Sequence, residues 1–261
     1  MKKPFLIIGR TWKFLEFMTP TVESVYEHHD RSDFDMVVIE NKSSRSRAIR
    51  AYLHQMLRGN VIDGIVLADG NYFADAFKSV YHFQDQLLNY ENIIFTDMDL
   101  DVRGHTNWLY DLKGILDNEP AVGAVSIDVE PDPPYSDGFV FTKDVPEHTS
   151  IPGFYPMTID LGFYMVRAQQ FHDNIMLPGS HGYNNYISAT GLMMGRVSIM
   201  AKHYGWLRST PEYAPAYSET GITFGNGIAT DNMQYYGKQC VSHDVGEHNF
   251  QFEGPFFTPE T

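Results

Sequence analysis

The sequence predicts an α/β protein with a mainly parallel central sheet flanked by helices. Over the first hundred residues, short apolar runs alternate with amphipathic segments, and such βα repeats imply parallel strands joined by right-handed crossovers. Each run ends on polar residues, where ligands of open parallel sheets bind. With 43% hydrophobic and 14% aromatic residues, a chain of 261 can bury one substantial core.

PFLIIG, residues 4–9, is the first strand. In TPTVESVYEHH (19–29), Thr-Pro marks a helix start with acids in the early turns. DMVVIE (35–40) reads as a buried strand, SSRSRAIRAYLHQML (43–57) as a Ser-capped helix, and IDGIVLAD (62–69) as a third strand. NYFADAFKSVYHFQDQLLN (71–89) has an apolar face at helical spacing before the fourth strand, NIIF. Beyond residue 101 the pattern is irregular. Residues 106–118 predict a helix, 121–129 a strand, and 130–138 a Pro-rich loop. A strand centred on 162–166 leads into a turn, and 187–206 reads as mostly helical despite Gly191 and Gly195. The tail from 220 is rich in Gly and aromatics without a clear period.

A net charge of −14 argues against a broad nucleic-acid surface, which needs clustered Lys and Arg. Arg45, Arg47 and Arg50, with Lys42 close by, form a local basic group; it suits a solvated helix face or a phosphate contact. The single Cys240 cannot form an internal disulfide and fits a reducing compartment. Only five apolar or Pro residues separate Lys3 from Gly9, too few for a signal-peptide core or a membrane span. The expectation is a soluble, cytoplasmic, single-domain protein over 1–261. Within it, 1–101 forms a nucleotide-binding half, 102–210 an acceptor half, and 211–261 a C-terminal extension.

The segment ENIIFTDMDLD places Asp97, Asp99 and Asp101 at alternating positions after a β-rich run. On a strand, Asp97 and Asp99 project to one side, where a hard cation such as Mg²⁺ or Mn²⁺ relieves their repulsion and keeps positions open for phosphates. The same acids would also suit strand or turn capping. Arg10, Glu40, Asn41 and Asp69 fall at the carboxyl ends of the other three strands, so one crevice could gather them all. Neither a GxxxxGK[ST] loop nor a GxGxxG loop follows the first strand, which favours a nucleotide held through a metal on acids.

Five segments in order carry a resemblance. FLIIGRTWKF, VVIENKSSRS, IIFTDMDLD, IDLGFYMVR and GRVSIMAKHYGW together resemble the motifs of GT-A type nucleotide-sugar glycosyltransferases. They are closest to the inverting, family-two-like group of bacteria and viruses with a DxD metal strand. Departures from the group's pattern are Gly9 for Asn, Glu40 for Asp, and Leu161-Gly162 for paired Thr.

The resemblance implies a GT-A, Rossmann-like fold and metal-dependent transfer of a sugar from a nucleotide diphosphate donor. A UDP-sugar is the expected donor and Mn²⁺ or Mg²⁺ the cofactor. It implies Asp99 as direct metal ligand, Asp97 nearer the ribose or a metal-bound water, and His203 as the third ligand, with His243 and His248 as rivals. Glu40 and Asn41 would recognise the base and Arg10 would face the nucleotide. An inverting reaction needs a carboxylate base; Asp160 and Glu212 lead, with Glu219 and Asp231 also of the right type. A retaining reaction needs no such base there, so both outcomes stay open. Trp206 suits either stacking on an acceptor ring or packing. A glycan or small-molecule acceptor is preferred on charge grounds to modified DNA. Two other classes use related features: a nucleotidyltransferase, to which GRTWKF is poorly suited, and a non-catalytic carbohydrate-binding module on the same fold.

Overall fold

The computed structural model describes residues 2–11, 15–42, 46–70, 73–102, 104–129, 142–157, 162–175, 191–203 and 249–258. Strands β1 (Lys3–Thr11), β2 (Phe34–Glu40), β3 (Gly64–Ala68) and β4 (Tyr90–Asp97) form a parallel block in the order β3-β2-β1-β4. Each is apolar on both faces, as strands covered on two sides must be. Phe5 and Ile7 of β1 face one core with Met36, Val38 and Ile94. Leu6 and Ile8 face a second core with Val37, Ile39 and Phe95.

The first core is closed by α1 (Leu15–Tyr26), α2 (Ser46–Arg58) and α4 (Trp108–Asn118), through Met18, Ile49, Leu53, Leu109 and Leu112. The second is closed by a 3-10 segment, Phe73–Phe83, followed by α3 (Gln84–Leu87) and α5 (Ala168–Ile175). Val80, Phe83, Leu87 and Phe171 supply that cover.

Beyond β4 the sheet turns mixed. The order β4-β8-β6-β9-β5 adds β5 (Leu100–Asp101), β6 (Val122–Val129), β8 (Phe163–Arg167) and β9 (Met193–His203), while β7 (Phe154–Pro156) pairs with β9. Only the β6–β9 contact among these is parallel. At the opposite edge β10 (Phe250–Glu253) lies antiparallel to β3. No helix among the described residues is long and apolar enough to cross a membrane.

Several sequence expectations need correction. Residues 193–203 form a strand where a helix is expected; Gly191 and Gly195 weaken a helix. Gly195 also admits β7, since a Cβ there would lie 2.4 Å from the Tyr155 carbonyl oxygen. Within the expected helix 71–89, Phe73–Phe83 is 3-10; buried Ala76, Val80 and Phe83 suit either helix type, so spacing alone does not separate them. Helix α1 begins at Leu15, four residues before Thr19, and carries Pro20 inside it. The turn expected after β8 is α5. The aperiodic tail contains β10, whose Phe250 and Phe252, with Phe256 and Phe257 of the following turn, pack on the second core.

Candidate donor site at the strand ends

Strand register brings the first site residues together. Arg10 lies opposite Asp97 across β1 and β4, and Thr11 lies opposite Glu40 across β1 and β2. The Arg10 guanidinium bonds Asp97, with Nε donating to Oδ1 at 2.7 Å and Nη2 forming the ion pair. It also lies over the Phe77 ring, 5.1 Å from the centroid, where cation and π-face attract. Arg10 is therefore held in one place between the β1 and β4 ends as half of an ion pair.

Asp97 closes β4, and Met98 and Asp99 form a turn before β5. The two carboxylates are thus separated by a turn, and the pleat alternation expected from sequence stops at Asp97. The Met98 amide donates to the Arg10 carbonyl at 2.9 Å, and the Asp97 amide donates to the Gly162 carbonyl at 2.7 Å. Met98 is buried beneath Gly9, where a Cβ would come within 2.2 Å of the Met98 sulfur. That contact leaves no space for a side chain at position 9.

β5 pairs with β9 so that Leu100 faces His203 and Asp101 faces Lys202. His203 is therefore brought to the residue next to Asp99 from about a hundred positions away, by a strand pairing and not by a helix. Asp101 is buried in this ladder.

Glu40 sits differently from its expected role against a base. Its side chain is 0% exposed. Ser46 Oγ donates to Oε1 at 2.5 Å, and Arg50 Nε donates to Oε2 at 2.9 Å. A carboxylate so enclosed holds the first turns of α2 against β2. Arg50, read from sequence as a solvated or phosphate-facing group, is thereby tied to Glu40 and donates through Nη2 to the Ala68 carbonyl at 3.2 Å. Arg47 is exposed. Asn41 is buried, and its amide donates to the Thr11 carbonyl at 3.0 Å, extending the β1–β2 ladder by one rung.

Asp69 is exposed at the β3 end. Its carbonyl accepts from Lys42 Nζ at 2.5 Å, and its carboxylate accepts from Asn249 Nδ2 at 3.0 Å. No local sequence pattern ties Asn249 to Asp69, 180 positions away. Asp160, Glu212, Glu219, Asp231, His243, His248, Trp206, Arg45 and Cys240 lie outside the described residues, as does the His203 side chain.

No protein-family model matches the sequence, and no curated protein sequence matches it. Solved structures do. A mannosyltransferase of Pyrobaculum calidifontis, PcManGT, described in complex with GDP-Man and Mn²⁺, aligns over 94% of this chain and 82% of its own, with TM-score 0.55 and 12% identity. The chain has the GT-A fold. Two further GT-A structures agree: TarS 1-349 of S. aureus, at TM-score 0.50 and 14% identity over 77% of this chain, and GalNAc-T7 with UDP, GalNAc and Mn²⁺, at TM-score 0.51 and 12% identity over 77%. The chain spans 60% of the TarS fragment and 43% of the GalNAc-T7 chain. In this GT-A chain strands β1 to β4 carry Arg10, Glu40, Asp69 and Asp97 at or next to their carboxyl ends.

Proposed function

We propose that this protein is a metal-dependent glycosyltransferase that takes its sugar from a nucleotide diphosphate donor, a UDP-sugar in the first instance. The observation that carries the reading is the convergence of Arg10, Asp97, Asp99 and the His203 strand end at the carboxyl edge of the parallel block. The GT-A fold, the complex of PcManGT with GDP-Man and Mn²⁺, and that of GalNAc-T7 with UDP, GalNAc and Mn²⁺ support it.

Glycosyl transfer breaks the bond between the anomeric carbon and the diphosphate, and negative charge develops on the leaving phosphate. Fixed positive charge at that point lowers the barrier. Arg10 is held in place by Asp97 and Phe77, and because that pair is neutral as a unit the net positive charge falls to a bound cation. Asp99 and His203 are assigned to a divalent ion; a carboxylate, an imidazole and phosphate oxygens suit Mn²⁺. Among the described residues no three His, Cys, Asp or Glu side chains gather around one point, so the ion would draw further ligands from the diphosphate. When bound, it would neutralise the leaving diphosphate. Asp97, already balanced by Arg10, is assigned to the ribose or to a water on the ion. Glu40 acts through α2 by holding Ser46 and Arg50, and Asn41 is assigned to the nucleotide beside it.

The acceptor base is assigned to Asp160 or Glu212. Asp160 precedes Gly162, whose carbonyl bonds the Asp97 amide, and is the first to vary. The acceptor is assigned to glycans or small molecules, on the net charge of −14, with the division into donor half, acceptor half and extension kept as proposed. Mass-spectrometric screening of UDP-, GDP- and CDP-sugars with Mn²⁺ tests the class. Release of nucleoside diphosphate from at least one donor is expected; release of pyrophosphate from a nucleoside triphosphate would instead make the protein a nucleotidyltransferase.

A further inference from the structure

With Glu40 enclosed, the nucleoside end of a donor needs another hydrogen-bonding group. Asp69 is the exposed carboxylate at the next strand end. β3 and β4 are separated by β2 and β1, so Asp69 and Asp97 stand about three strand spacings, roughly 14 Å, apart. That is the scale of a nucleoside diphosphate laid along the sheet edge with its phosphates, and not its ribose, at Asp97.

The placement of Asp69 depends on the far end of the chain. Its amide donates to the Asn249 carbonyl at 3.1 Å, and Asn249 Nδ2 donates back to Oδ2 at 3.0 Å. Asn249 immediately precedes β10, and the β10 register runs Phe250 against Ala68, Gln251 against Leu67 and Phe252 against Val66. The edge strand thus delivers Asn249 to Asp69 as the next rung of the same ladder. Lys42 and Arg50 hold the Asp69 and Ala68 carbonyls from the other side. A carboxylate gripped through both its amide and one oxygen keeps one orientation.

We propose that Asn249 is a positioning residue for the donor: it fixes the Asp69 carboxylate to accept hydrogen bonds from the nucleobase edge, making the C-terminal strand part of base selection. The inference rests on the donor-site reading above. A carboxylate only accepts, so Asp69 favours bases that present ring N–H groups there, uracil or guanine, over cytosine with its ring acceptor.

Calorimetric titration with UDP, GDP and CDP in Mn²⁺ tests it on the full chain. The unmodified protein should prefer UDP or GDP to CDP. Asn249→Ala should shrink that preference at least fivefold, and Asn249→Asp, which sets two carboxylates together, should shrink it further. Asp69→Asn, which leaves the Asn249 backbone contact in place, should also narrow it, and adding Asn249→Ala to that background should change selectivity no more, because residues acting as one unit are not additive. Glu253→Gln, which weakens the His54 contact of 2.7 Å farther along β10, controls for loosening of the strand and should leave base preference unchanged. Wild-type selectivity in Asn249→Ala, or additive losses in the double variant, would overturn the positioning role while leaving the donor site standing. Failure of the unmodified protein to bind any nucleoside diphosphate would overturn the donor site, and this inference with it.

Discussion

Arg10 Nε sits 2.7 Å from Asp97 Oδ1 across the β1–β4 boundary, with both side chains largely buried. Removing the cation leaves a largely buried carboxylate without its charged partner. Arg10→Ala is expected to cost about 2 kcal/mol, the scale of a hydrogen bond to a charged group. Mn²⁺ should then raise the melting temperature of Arg10→Ala more than that of the unmodified protein, because an ion can take over the neutralisation of Asp97. Equal Mn²⁺ shifts in the two proteins would show that the ion does not reach Asp97.

His203 stands opposite Leu100, one residue from Asp99. His203→Ala is expected to raise the metal concentration for half-maximal activity at least several-fold, with little change in melting temperature of the metal-free protein. An unchanged metal requirement in His203→Ala removes this residue from the ion and makes His243 the next to vary.

Gly9 and Met98 leave no room for a side chain between them: an added Cβ would lie 2.2 Å from the sulfur and 2.8 Å from Cγ. Gly9→Ala should cost about 1–3 kcal/mol through overpacking. Because Met98 joins Asp97 to Asp99, turnover should fall further than the lost folded fraction explains. Combining Gly9→Ala with Met98→Ala should restore part of the stability. Full activity in Gly9→Ala would mean that the turn between the two acids tolerates displacement.

His29 is 7% exposed and packed edge-on against Phe5 and Trp108. Burial, with the neighbouring His28 charge, lowers its pKa to about 4, and Asp33 opposes the shift. The unfolded chain therefore takes up a proton below about pH 6.5 that the folded chain refuses until about pH 4. Stability from this group is full above that window and declines as pH falls through it, by about 3 kcal/mol in total. Denaturant unfolding between pH 7 and 4 should show the decline, and His29→Phe should flatten it; an identical slope in the variant would assign the pH dependence elsewhere.

The parallel block β1 to β4 is legible in the sequence because its strands are buried on both faces and read as unbroken apolar runs, which put Arg10, Glu40, Asp69 and Asp97 at or next to strand ends. What the runs could not convey was contact across the sheet. Glu40 at a strand end looks the same in sequence whether it faces a ligand or, as found, Ser46 and Arg50 on the following helix. The β9 strand was missed because GLMMGRVSIMAKH is as apolar at helical spacing as at strand spacing, and its strand identity comes from pairing with β6, β7 and β5. Asn249 was invisible for the same reason: its importance comes from the β10–β3 register, which no local pattern encodes.

Binding of UDP to the protein, titrated calorimetrically with and without Mn²⁺ and repeated on Asp99→Asn, decides whether a metal-assisted donor site exists here. UDP should bind at least tenfold more tightly with Mn²⁺, a difference of about 1.4 kcal/mol, and Asp99→Asn should lose that enhancement while melting as the unmodified protein does. Affinity that is the same with and without Mn²⁺, or an enhancement that survives in Asp99→Asn, would contradict the assignment of this strand end to a metal and a nucleotide diphosphate.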